Sequence, residues 1–291
     1  MKLQFSSDCY QLEVIKLGNP SLTEVPISYI ITMHDSVRRE QYMKQLEDHK
    51  PTGVVIVVHN MGFRKCSKPG VTRAYQDLWH ANQFIAKYHI ENFANAYALI
   101  LEDDVQFAPN FRARSPIVQA FLRAKAPDVY SLGSVPSFTL PYDMHHLQGY
   151  FLMASAVIYS PSILSRFHEL KVQELKTGHD SYHFWFTYRG MSRYMLRKPM
   201  AGQLQVATEN SQGWDPHNII IPTTNYLLNS HNEPLQWMET LSTILPFGTS
   251  SIVFALVVLI VVVITKGVHT PKHRTSVPIA QSNYAQGFTS K

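Results

Sequence analysis

The residues with the clearest chemical potential are Glu102-Asp103-Asp104. Three successive carboxylates repel one another unless a cation or hydrogen bonds compensate them. A hard, oxygen-preferring ion such as Mn2+ or Mg2+ is the natural compensator, and the same ion grips a diphosphate. The preceding run Ala98-Leu99-Ile100-Leu101 reads as a buried strand. That places the triplet at a carboxyl end, where ligands bind in open α/β sheets. Strict alternation would send Glu102 and Asp104 to one side and Asp103 to the other.

The elements that must hold the triplet follow from the pattern around it. Ile27 to Met33 and Val54 to Val58 are short apolar runs that predict buried strands. Between them, Asp35 or Ser36 caps a helix that runs to about His49 and stops at Lys50-Pro51-Thr52-Gly53. Val71 to His89 repeats its apolar residues at helical spacing, with Asn82 as the one break. Ala108 to Ala126 looks helical in its second half, and Val129 to Leu132 predicts a fourth strand. Beyond Gly149, Tyr150 to Tyr159 is extended, Pro161 opens a helix, and Tyr194 to Leu196 is a further strand. Strand and helix in alternation predict an α/β fold, a mainly parallel central sheet with flanking helices.

This order weighs against two other uses of an acidic strand end. Receiver domains carry theirs after the first strand, and here two strands precede it. Phosphatases of the haloacid dehalogenase type need a leading Asp nucleophile, and Glu102 leads here. A helix N-cap cluster is the plain alternative.

Composition removes other classes. The 291 residues are 45% hydrophobic and 12% aromatic, enough for a packed core. The net charge of +5 comes from scattered residues, with no block or stripe of Lys and Arg, so no nucleic-acid partner is expected. The two cysteines, Cys9 and Cys66, permit one bridge at most and read as ordinary reduced thiols.

From Leu241 to Thr265 no residue is charged, and Ile244 to Thr265 matches the ~20 apolar residues of a membrane span. The expected organisation is an N-terminal segment over 1–26, the α/β domain over 27–240, a transmembrane helix over 244–265 and a disordered tail over 266–291. Topology signals conflict. Lys266, Lys272, Arg274 and Lys291 follow the span while no Lys or Arg lies between Pro199 and Thr265, which would put the tail in the cytosol. The start lacks a signal sequence, and on that ground the expectation is a single-pass C-terminal anchor with a cytosolic domain.

Ile27-Ser28-Tyr29-Ile30-Ile31-Thr32-Met33-His34-Asp35-Ser36-Val37-Arg38-Arg39 resembles the opening of glycosyltransferase family 25, which includes lipopolysaccharide glycosyltransferases and collagen galactosyltransferases. Tyr97 to Asp104 is similar to its second hallmark, and Asp128 to Gly133 and Gly149 to Leu152 are similar to later segments. The resemblance spans roughly residues 27–215. It implies a GT-A-like fold and transfer of a hexose, with inversion, from a nucleotide-sugar donor such as a UDP-sugar to a glycan, lipid or protein hydroxyl.

By the same resemblance Asp104 binds Mn2+ or Mg2+, and Glu102 binds that metal or the donor ribose, with Asp103 at the donor site. Arg38 and Arg39, in the first helical turn after strand one, lie within reach of a nucleotide or phosphate, with a solvated helix face as the plain alternative. Asp180, in Gly178-His179-Asp180-Ser181-Tyr182, is the candidate base, with Tyr182 and Trp185 near it in sequence to stack on a sugar. His217 is the candidate late metal ligand. Ala74-Tyr75-Gln76 stands where the family usually carries a Ser-His pair. That departure motivates a second expectation, a catalytically inactive membrane-anchored relative with a nucleotide-sugar-binding or structural role.

Overall fold

The computed structural model describes residues 9–152, 155–175, 188 and 190–203. They lie within one compact unit, Met1–Ser250. Its frame is a nine-stranded sheet.

The centre of that sheet is parallel. β2 (Ile27–Met33) lies between β3 (Val54–Asn60) and β4 (Ala98–Glu102), with Ile31 level with Val58 on one side and Glu102 on the other. These strands are covered on both faces, which is why they read as continuous apolar runs. Their side chains divide by strict alternation between two cores. Tyr29, Ile31, Ile56, Val58 and Ile100 pack with Trp79, Ala81 and Ile85 of α2 (Ala74–Phe93). Ile30, Val55, Val57, Leu99 and Leu101 pack with Tyr42 and Leu46 of α1 (Arg39–His49) and with Val118, Phe121 and Leu122 of α3 (Phe111–Lys125). The result is three layers, helix on sheet on helix.

Outside that centre the sheet is mixed. β1 (Tyr10–Lys16) runs antiparallel beside β3. On the other side β9 (Ala156–Tyr159) separates β4 from β6 (Val129–Ser131) and is antiparallel to both. Next come β10 (Arg193–Leu196), parallel to β6, then β8 (His146–Leu152) and β7 (Val135–Pro141). Three pairings are parallel and five antiparallel, so parallel order is confined to β3–β2–β4 and β6–β10. A separate two-stranded ribbon joins β5 (Val105–Phe107) to β11 (Ala201–Gln203).

Several expectations change. The residues before 27 include a full strand, because alternate contacts with β3 and the packing of Tyr10 carry it despite its polar content. α3 is helical throughout; Pro116 in its middle hides the first half from the sequence pattern. Cys9 and Cys66 are joined in a disulfide, not reduced, with Cα atoms 5.5 Å apart. Pairing of β1 with β3 and the turn after β3 bring the two cysteines together. α4 (Pro161–Leu164) does open at Pro161, with the Ser160 hydroxyl accepting from the Ile163 backbone N–H. The 244–265 span and the 266–291 tail lie outside the described residues. Among those described, no helix is long and apolar enough to cross a membrane.

Candidate functional site

The site lies where β2, β3 and β4 end together. β4 stops at Glu102, and Asp103 and Asp104 form a tight turn into β5. The triplet therefore leaves the strand geometry after its first residue, and two-sided alternation does not carry through it.

Asp103 turns toward β2. One carboxylate oxygen accepts from the Thr32 hydroxyl and the Ser36 hydroxyl, both at 2.8 Å, and the other accepts from the Arg38 guanidinium at 2.8 Å. Thr32 belongs to β2, Ser36 to the turn that follows, and Arg38 immediately precedes α1. The turn is itself tied down: the Ser36 N–H donates to the Met33 carbonyl at 3.0 Å, and the His34 N–H to the Asn60 carbonyl at 2.9 Å. Ser36 does not cap the helix, as its sequence position suggests; its hydroxyl binds Asp103 and accepts from the Arg38 N–H at 3.3 Å.

Asp104 is 1% exposed, and the same Arg38 nitrogen stands 3.7 Å from it. The carboxylate repulsion read from the sequence is thus offset within the chain by one guanidinium reaching both aspartates. Glu102 is half-buried, and its N–H donates to the Ser155 carbonyl at 3.2 Å.

The floor of the turn is built from distant segments. β5 is held by β11, by the Ala108 N–H donating to the Met200 carbonyl, and by the Gln45 side chain accepting from the Phe107 N–H at 2.8 Å. Met200 and Ala201 in turn donate to the Leu132 carbonyl. Gly133 is required at the next position, because a Cβ there would lie 1.6 Å from the Ala201 carbonyl oxygen. Thr32, Gln45 and Gly133 escaped the sequence reading as site residues, and Ser36 entered it only as a helix cap. Only the polar interruption of an apolar strand by Thr32, one residue from its end, gave a signal.

Arg39 does not join this group. Its guanidinium forms a two-pronged pair with Glu13 of β1, both contacts at 2.7 Å, and reaches the Tyr42 hydroxyl at 3.2 Å. That pairing, with help from His59, holds the Glu13 carboxyl below its usual range. Arg38 and Arg39 thus serve different neighbours despite adjacency. Asp180 and His217 lie outside the described residues. Among the described residues no three His, Cys, Asp or Glu side chains converge as a metal site. Glu102 and Asp104 offer two carboxylates; Mg2+ and its relatives are commonly held by one or two, with phosphate oxygens completing the set.

No family model matches the chain, and no curated protein matches it. Among solved structures, it is similar to a glycosyltransferase involved in the glycosylation of the major capsid of PBCV-1, at 10% identity and a TM-score of 0.35, over 58% of this chain and 81% of that one. It is also similar to a structure assigned to a glucose-1-phosphate thymidylyltransferase from Bacillus anthracis, at 14% identity and a TM-score of 0.29, over 70% and 77%. Likenesses this weak carry no weight for fold or function.

Proposed function

We propose that this chain is a metal-dependent glycosyltransferase of GT-A-like fold that moves a hexose from a nucleotide sugar, of the UDP type, to a hydroxyl of a glycan, lipid or protein with inversion. The observation that carries the reading is the acidic turn at the carboxyl end of a parallel three-strand centre, beside a half-buried cation. That is where α/β sheets take nucleotides. Arg38 sits at its edge, suited to a phosphate or to the polar rim of a nucleotide. The family resemblance of residues 27–39 and 97–104 supports the same assignment.

In this reading Glu102 and Asp104 hold Mn2+ or Mg2+. A bound ion of this kind supplies charge stabilisation to the departing diphosphate. Asp103 acts as a positioning residue, fixing Arg38 against Thr32 and Ser36. The acceptor hydroxyl must lose a proton, and Asp180 is the base proposed from sequence. Residues 244–265 are proposed as a single-pass anchor.

A screen of UDP-, GDP- and CMP-sugars with Mn2+ tests the proposal. One donor class should turn over, and Asp104→Ala should lower that rate roughly 100-fold. Unchanged metal-dependent turnover in Asp104→Ala would remove that residue from the role. One observation favours a second reading, an inactive nucleotide-sugar-binding relative: Asp104 is deeply buried and already faces Arg38. Calorimetry that finds nucleotide binding, with no turnover across a broad acceptor panel, selects this alternative.

A further inference from the structure

β7 and β8 form the outer edge of the large sheet, and their solvent-facing side carries large apolar side chains around Gln148. Phe138, Leu140 and Tyr150 are 58%, 56% and 41% exposed. Phe138 and Tyr150 are cross-strand partners, and Leu140 lies two residues along, so all three share one face. Tyr142 and Met144 continue the patch around the hairpin tip. The outward side of an antiparallel edge is ordinarily polar. Among the described residues, Val37 is the one other large hydrophobic side chain so exposed.

Cations border the patch. The Lys125 ammonium stands 5.3 Å from the Tyr142 ring centre, while the Arg193 guanidinium, 4.8 Å from the Tyr150 ring centre, is buried beneath the sheet face and takes no part in the rim. The Arg197 N–H donates to the His145 carbonyl, which brings Arg197 and Lys198 beside the tip. The neighbouring acid, Asp143, is engaged by the His146 side chain and by the N–H groups of His145 and His146.

We propose that this hairpin is a docking surface for a phospholipid bilayer, seated at headgroup depth. Aromatic rings with a polar edge, a flexible methionine at the tip and a rim of cations match that zone, where apolar groups meet phosphates. The apolar stretch 244–265 of the same chain, read as a span, would hold the domain close to such a surface. Pairing with a second copy along β7 fits less well. Pro136 and Pro141 remove two N–H donors from that edge strand, which blunts strand addition. The proposal stands independently of the sugar-transfer reading.

The test uses the full chain in phosphatidylcholine vesicles, labelled with an environment-sensitive fluorophore at Met144→Cys. Native Cys9 and Cys66 are bonded to each other and do not compete. Glu47→Cys, on exposed α1 surface, is the control. Headgroup-depth nitroxide lipids should quench the label at 144 at least about twofold more than the label at 47. The exposed changes Phe138→Ser and Leu140→Ser should remove the difference while circular dichroism stays constant. Equal quenching at both positions overturns the proposal. Shielding of position 144 from aqueous iodide without nitroxide quenching also overturns it: the cover is then the chain itself, or a second copy where shielding rises with protein-to-lipid ratio.

Discussion

Replacing Asp103 should expose how the acidic turn is held together. Its carboxylate accepts three hydrogen bonds, from Thr32, Ser36 and Arg38, and its side chain and that of Arg38 are only 12% and 18% exposed. Asp103→Asn keeps the shape. The hydroxyls of Thr32 and Ser36 can reverse and accept from the new amide, since each is donor and acceptor. The loss then concentrates on Arg38, which keeps a neutral carbonyl in place of a carboxylate. A charge-assisted hydrogen bond contributes about 1.5–3 kcal/mol and a neutral one about 1, so Asp103→Asn should cost about 1–2 kcal/mol. Asp103→Ala removes all three of these hydrogen bonds and leaves the half-buried guanidinium with Asp104 at 3.7 Å; its cost should reach about 3 kcal/mol. Urea unfolding followed by tryptophan fluorescence measures both, and a cycle with Arg38→Gln isolates the pair. Equal losses in Asn and Ala, or a coupling below about 0.5 kcal/mol, would refute the view that Asp103 serves as the anchor of Arg38.

Other outcomes follow from the same contacts. Gly133→Ala should displace β11 from beneath the turn, lowering both stability and nucleotide affinity; calorimetry reads the second, and wild-type values would show that the backbone yields there at no cost. Burial depresses the pKa of His89 and of His146 below the usual histidine range. Stability from these neutral rings is therefore complete above that range and is lost as pH falls through their folded-state values, so the urea midpoint should drop between about pH 7.5 and 5.5. A flat profile there would deny them that role. The Cys9–Cys66 bond closes a separation of 57 residues, for which loop entropy gives about 4 kcal/mol. Such bonds persist in oxidising compartments and are rare in reducing ones. Maleimide should not label the folded chain until reductant is added; immediate labelling would show two free thiols in place of the bond.

The parts of the fold that could be read in advance are those whose residues answer to a single demand. β2, β3 and β4 are buried on both faces, so Ile27–Met33, Val54–Asn60 and Ala98–Glu102 announce themselves as apolar runs. β1 escaped because its mixed residues face one covered and one open side, and its partner β3 lies some forty residues away. β5 and β11 are three residues each and exist through one another, which no local pattern encodes. The disulfide has the same character: the pairing of Cys9 with Cys66 depends on the β1–β3 register, not on anything beside either cysteine. At the site, the triplet was legible as a charge problem. Its internal solution was not, because Arg38 and Arg39 are indistinguishable in sequence; only the turn before α1 decides that one meets Asp103 and the other Glu13.

That solution sets the terms on which a divalent ion could enter. Arg38 already compensates two of the three carboxylates, so an ion at Glu102 and Asp104 would bring a like charge near the guanidinium. Free ion alone should therefore bind weakly. A nucleotide diphosphate changes the balance, because its oxygens can accept from Arg38 and complete the ion's shell together. Ion and nucleotide should accordingly bind with positive coupling, each raising the affinity of the other by the same factor. Calorimetric titration of Mn2+ with and without UDP reads this directly. Tight Mn2+ binding without nucleotide, unchanged in Arg38→Gln, would show that the guanidinium plays no part in gating the acidic turn.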